Sequence, residues 1–217
     1  MIRTAFVLLS ILVITVPLAL VIVVASFIRG VPDSLYDRIP RFWARLILAA
    51  AGVKLHAIGL SNIVEGRPQI FLSNHVSYFD VLALTVLIPK RYRFVGKREL
   101  TRVPLWGRAW LASGHIAIDR GNTQSAVDSL DRAGRMIRED RSSIIIFPEG
   151  TRSRTCEMLP FKKGGFMLAL HTGVDIVPVA IRGTREIMPA GRWRMRPGRI
   201  IVRFGQPIAS ADYPLDR

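Results

Sequence analysis

The chain has 217 residues, room for one globular domain plus an accessory segment, and 31 basic against 16 acidic residues give a formal net charge of +15. With arginine far ahead of lysine, that balance points to an anionic substrate or partner: nucleic acid, anionic lipid or a phosphorylated metabolite. The single cysteine, Cys156, excludes an internal disulfide framework and suits a reducing compartment.

No charged residue occurs from Thr4 to Ile28, and at about 1.5 Å per helical residue such a run can cross a hydrocarbon core of about 30 Å. The sequence therefore predicts a membrane-anchoring helix over 4–28. A cleavable leader is the alternative, with Val23-Val-Ala25 resembling a cleavage site, but the run is longer than a usual leader core. Pro17 leaves a kinked or re-entrant helix open, and Arg29, Arg38, Arg41 and Arg45 after the run favour a cytoplasmic domain after it. A second helix, about 35–51, carries Ile39, Phe42, Leu46, Ala49 and Ala50 at helical spacing, continued by Val53, with arginines on another face. Beside Trp43, this predicts an amphipathic helix lying in the membrane interface. The anchor is expected to span 1–52 and the globular domain 53–217.

Beyond Gly52, short apolar or alternating runs predict strands at Lys54–Ile58, Gln69–Ser73, Tyr92–Gly96, His115–Asp119, Ser143–Phe147, Ile176–Ile181 and Ile200–Phe204. A helix is expected at Thr123–Glu139, with Ala126, Leu130, Ala133 and Ile137 as its apolar stripe, and another between Lys163 and Gly173. The fold class is α/β: a mixed, largely buried sheet of about seven strands flanked by helices, behind an N-terminal anchoring segment.

Unusual residues collect where the predicted strands end, the usual place for ligands in such sheets. After the second strand comes Asn74-His75-Val-Ser-Tyr-Phe-Asp80. Histidine takes protons near neutral pH, and a carboxylate on its far nitrogen would fix the tautomer and stabilise the imidazolium. Ser77 to Asp80 also fits a capping box, in which Asp80 bonds a backbone amide instead. On an α-helix, five residues turn about 140° past one full turn, so the pair needs an irregular helix start to meet. The fourth strand ends in Asp119-Arg120-Gly121; the fifth breaks into Phe147-Pro-Glu149-Gly150-Thr151-Arg152-Ser153; and the sixth contains Val177-Pro178-Val179-Ala180-Ile181. Repeated arginines at strand ends suit a phosphate, because the guanidinium can donate two hydrogen bonds to it at once.

These four blocks, in this order, resemble the lysophospholipid (glycerolphosphate) acyltransferase family. The resemblance implies transfer of a fatty acyl group from acyl-CoA or acyl carrier protein, as substrate rather than bound cofactor, to the free hydroxyl of 1-acyl-sn-glycerol-3-phosphate (lysophosphatidic acid). It implies His75 as general base with Asp80 orienting it. Glu149, Gly150, Thr151 and Arg152 would hold the acceptor, with Arg152 and Arg120 on its phosphate, and Val177, Pro178, Val179 and Ile181 would shape the acyl or donor pocket. Backbone amides around Gly150, or Lys97, are the candidates to stabilise the oxyanion.

No Gly-x-Ser-x-Gly elbow supports a serine acyl-enzyme, and Cys156 lacks the surroundings of a nucleophile. His56, His75, His115 and His171 lack metal-ligand spacing, so no metal is expected. A different lyso-lipid acceptor, or a basic membrane-surface protein without catalysis, are the other readings. No helix-turn-helix, zinc-finger or RNA-binding signature supports a nucleic-acid partner. The basic stretch Arg192-Trp-Arg194-Met-Arg196-Pro-Gly-Arg199 is read as a solvated hairpin, or as a contact for anionic headgroups or for the phosphates or acidic carrier of the donor.

Overall fold

The computed structural model describes residues 2–119, 121, 123–155 and 157–213, with 123 and 126 described for their backbone only. Arg120 and Cys156 lie outside the described residues. In chain order the elements are α1 (Ile2–Ala25), α2 (Leu35–Ala50), β1 (Val53–Ile58), β2 (Ile70–Ser73), α3 (Tyr78–Leu87), β3 (Tyr92–Lys97), α4 (Trp106–Ala112) and β4 (Ile116–Ile118). They continue with α5 (Thr123–Arg138), β5 (Ser143–Ile146), α6 (Gly164–Thr172), β6 (Ile176–Arg182), α7 (Thr184–Ile187) and β7 (Gly198–Phe204).

The seven strands form one mixed sheet in the order β1-β7-β6-β2-β5-β3-β4, parallel throughout except for the antiparallel β6–β7 pair. In the middle of the sheet both faces are covered, which is why β2 and β5 read as unbroken apolar runs. Phe71 and Ile145 join a core shared with α2, α3 and α7, whereas Ile70, Leu72, Ile144 and Ile146 join one beneath α5 and α6. At the β1-β7-β6 end, burial alternates with every second residue: Val177, Val179, Ile181, Ile200, Val202 and Phe204 point inward and their neighbours outward.

α2 is amphipathic as expected, but its buried face differs from the predicted stripe. Ala44, Ile47 and Leu48 enter the domain core, whereas Phe42 and Ala49 are exposed. Apolar residues flank the stripe on both sides, so the helical wheel alone did not show which edge a neighbour covers. Arg41 turns to the domain as well, donating to the carbonyls of Ile88 and Lys90 and lying over the Tyr92 ring. The Trp43 indole donates to Thr15 Oγ1 at 2.8 Å, tying α2 to α1. α1 is a 24-residue helix, long and apolar enough to cross a membrane, that runs through Pro17. Val7 joins the domain core and Ala19 and Ile22 pack towards α4, but Phe6, Leu9, Leu12 and Val13 are exposed.

A buried ion pair fastens the two-helix segment to the sheet: Arg93 Nη1 donates to Asp37 Oδ1 at 2.7 Å, with side chains 6% and 13% exposed. Removing one partner leaves the other charge desolvated. Asp37→Ala is therefore expected to lower the unfolding free energy by about 3 kcal/mol, and an apolar partner exchange, Asp37→Ala with Arg93→Met, should recover most of it. Thermal melts followed by circular dichroism check both.

Candidate active site

The chain leaves β2 towards α3 on one face of the sheet and leaves the adjacent β5 towards α6 on the other. Loops that depart in opposite directions open a crevice at the carboxyl ends of their strands. His75 stands in the first loop, and Phe147 to Ser153 form the second.

α3 starts irregularly, as the His75–Asp80 spacing requires. Ser77 is an extended N-cap whose hydroxyl accepts from the Phe79 amide, so the helix begins only at Tyr78. The Asp80 carboxylate turns back over this start. Its Oδ2 accepts from the Val76 amide at 2.7 Å, from the Ser77 amide at 2.8 Å and meets His75 Nδ1 at 2.8 Å. Capping and orienting the histidine are thus one arrangement, not alternatives. Asp80 is fully buried and the His75 side chain 14% exposed. With Nδ1 held by the carboxylate, Nε2 is the nitrogen left to accept a proton.

The fifth-strand block grips this loop. The Phe147 ring stacks on His75 with centroids 3.9 Å apart, and the Ser153 amide donates to the His75 carbonyl at 2.8 Å. Glu149 corrects its predicted role in holding an acceptor. It is 4% exposed, and its two oxygens accept from the His75 amide at 2.7 Å and the Leu159 amide at 3.0 Å. Its carboxylate is used inside the protein and positions the histidine.

Val177, Pro178, Val179 and Ile181 also differ from expectation. Val177, Val179 and Ile181 face the domain core and Pro178 the opposite side, because a strand sends successive side chains to opposite faces. Their contribution to the site is through the backbone. The Ile181 amide donates to Asn74 Oδ1 at 2.7 Å and Asn74 Nδ2 donates to the Ile181 carbonyl at 3.0 Å, a two-bond clasp one residue from His75. Asn74 was visible in its motif, but only the β2–β6 pairing reveals its partner.

His75 opens into a cavity of about 650 Å³. Lys97, Thr151 and Arg152 stand on its polar side; Phe79, Leu82, Phe94 and Trp110, with Ala19 and Ile22 of α1, line its apolar length. Arg152 lies over the Tyr78 ring, 3.8 Å from its centroid. Lys97 pairs with Glu99 at 2.9 Å. Among the expected oxyanion donors, the Gly150 amide itself already donates to the Phe147 carbonyl at 2.9 Å, whereas Lys97 lines the cavity. Gly150 holds φ +71°, and a side chain there would collide with Lys162. Among the described residues, no cluster of three or more His, Cys, Asp or Glu side chains could hold a metal ion.

His115 also lines the cavity, a residue to which the sequence assigned no task. Its Nδ1 accepts from the Phe94 amide at 3.1 Å among the rings of Tyr92, Phe94 and Trp110. Burial, aided by the Arg93 charge, pushes its pKa down to about 3, so the ring is neutral.

The acyltransferase family model matches residues 54–182. The chain belongs to the acyltransferase family. It is 33% identical over 192 residues to the 1-acyl-sn-glycerol-3-phosphate acyltransferase of Haemophilus influenzae, covering 88% of this chain and 78% of that protein. It is 38% identical over 144 residues to the coconut (Cocos nucifera) protein of the same name, covering 66% of this chain and 47% of that one. The chain thus spans about half of the coconut relative and 61% of that from Limnanthes douglasii. Its fold is that of the crystal structure of the Thermotoga maritima 1-acyl-sn-glycerophosphate (LPA) acyltransferase, PlsC. The TM-score is 0.83 at 23% identity, covering 98% of this chain and 86% of that one.

Two measurements probe this geometry. In ¹⁵N NMR of the neutral protein, His75 should carry its proton on Nδ1, and Asp80→Asn should shift the ring towards the Nε2–H form that free imidazole side chains favour. At His115, the unfolded chain binds a proton below about pH 6.5 that the folded chain refuses until about pH 3. Its contribution to stability is therefore complete above pH 6.5 and is lost as pH falls towards 3. His115→Asn, which retains an oxygen for the Phe94 amide, is expected to flatten the dependence of Tm on pH across that window.

Proposed function

We propose that the protein is a membrane-bound acyltransferase that moves a fatty acyl group from a thioester donor, acyl-CoA or acyl carrier protein, to the free hydroxyl of 1-acyl-sn-glycerol-3-phosphate, giving phosphatidic acid. The observation that carries this reading is the His75 Nδ1–Asp80 Oδ2 contact of 2.8 Å at the mouth of a largely apolar cavity. The similarly named relatives support the acceptor, and the exposed apolar face of α1 supports anchoring to a bilayer, with the basic residues that follow it favouring the cytoplasmic face of an inner membrane.

An alcohol is a weak nucleophile until its proton leaves. His75 Nε2 accepts that proton as the hydroxyl oxygen bonds to the thioester carbonyl carbon, and the resulting imidazolium faces the buried Asp80 carboxylate. The oxyanion of the tetrahedral intermediate is stabilised by Lys97 at the cavity wall. When the C–S bond breaks, the departing thiolate takes the proton back from Nε2, so the cycle ends with the histidine neutral. Arg152, at the rim, holds the acceptor phosphate, while acyl chains occupy the apolar length beside α1.

Release of free thiol in the presence of lysophosphatidate measures the reaction. His75→Ala is expected to lower kcat by about 10²- to 10⁴-fold. Arg152→Ala should act chiefly on the acceptor KM and less on a lyso-lipid lacking the phosphate monoester. Wild-type turnover by His75→Ala would refute the mechanism.

A further inference from the structure

The two ends of the sheet are treated differently. α5 and α6 cover the β2-β5 region on one face, but among the described residues no helix covers that same face over β1, β7 and β6. The outward positions there are Lys54, His56 and Ile58 on β1, Arg199, Ile201 and Arg203 on β7, and Pro178, Ala180 and Arg182 on β6. Four of the nine are permanent cations, none is acidic, and among the described residues none of the four forms a salt bridge.

Register makes this arrangement unfavourable for folding alone. Lys54 stands directly opposite Arg199, and like charges in register across strands destabilise a sheet. A polar or apolar residue at either position would relieve the repulsion, and so would an anionic partner laid across the face.

The patch is wide. Three strands span about 10 Å, and Arg199 to Arg203 run about 13 Å along β7. Cations spread over that extent suit the acidic surface of a macromolecule. Its position selects which kind. α1 packs with α2 against the opposite face of the sheet, through the core that includes Val7 and Ile47. A bilayer that takes up α1 therefore leaves the basic face turned to water. The patch also reaches the active-site edge: Arg182 follows Ile181, whose backbone Asn74 clasps beside His75. From Arg199 the charge continues through exposed Arg196, Arg194 and Arg192 to Trp193, which lines the cavity.

The geometry points to a docking surface for an acidic soluble protein that presents the acyl group as a thioester, with the β1-β7-β6 face holding the carrier while its acyl chain enters at the His75 edge. The inference rests on the acyl-transfer reading and deepens it by selecting the donor.

The full chain in detergent micelles would be assayed with lysophosphatidate and one acyl chain presented on acyl carrier protein or on CoA. The Arg182→Ser/Arg199→Ser/Arg203→Ser variant is expected to raise KM for the carrier-protein donor about tenfold with kcat unchanged, and to weaken the salt dependence of that KM. Rates with acyl-CoA should stay within about twofold of wild type. An equal fall with both donors, no change with the carrier donor, or wild-type turnover of acyl-CoA alone would overturn the proposal. Loss of stimulation by phosphatidylglycerol in mixed micelles with an unchanged carrier KM would reassign the face to a lipid surface. Binding of the carrier protein, followed by fluorescence anisotropy, separates the two readings. If neither donor turns over but the carrier binds wild type and not the variant, acyl transfer fails and the docking surface stands. Absence of binding to wild type would remove the docking surface.

Discussion

Asp80 Oδ2 is the point on which the site depends. Two backbone amides and an imidazole nitrogen converge on one buried oxygen within 2.8 Å, so the start of α3 and the orientation of His75 are set together. Charge-assisted hydrogen bonds of this kind are short and directional. A carboxylate that only capped the helix would leave the ring free to rotate; one that only held the ring would leave the Val76 and Ser77 amides unpaired. The same buried charge stabilises the imidazolium that proton transfer creates.

Around that point, backbone rather than side-chain chemistry fixes the histidine. Glu149 accepts its amide, Ser153 donates to its carbonyl, and Asn74 secures the preceding residue to β6. Two of these ties come from the loop after β5 and one from β6, and they converge because β2 lies between β5 and β6 in the sheet. The constraint places a polar centre at the mouth of an apolar cavity whose wall includes α1. An amphiphile needs that combination: its polar group must meet fixed donors while its chains stay out of water.

The asymmetry of the sheet extends this division of labour. Where both faces are covered, strands are apolar throughout and supply rigidity beneath the crevice; where one is bare, alternation returns and the outward residues are free to carry charge. A +15 chain places part of its excess there, on the side away from its apolar helix.

The sequence by itself determined the elements and the polar constellation. Seven runs of apolar or alternating residues became seven strands, because period and length report burial directly. His75 and Asp80 were legible because a proton acceptor and a carboxylate followed a strand end within six residues. Tertiary structure decided what periodicity cannot encode. Glu149 reads like a ligand contact until its two oxygens are found on the amides of His75 and Leu159. Val177 to Ile181 read like a pocket wall until β6 is placed beside β2, which turns three of those side chains into the core and leaves the Ile181 backbone to Asn74. The face of α2 that is covered, the ring of His115 and the bare basic face all depend on which neighbour packs where. Local spacing fixes which side a residue faces within its own element; only the packing of distant segments fixes what that side meets.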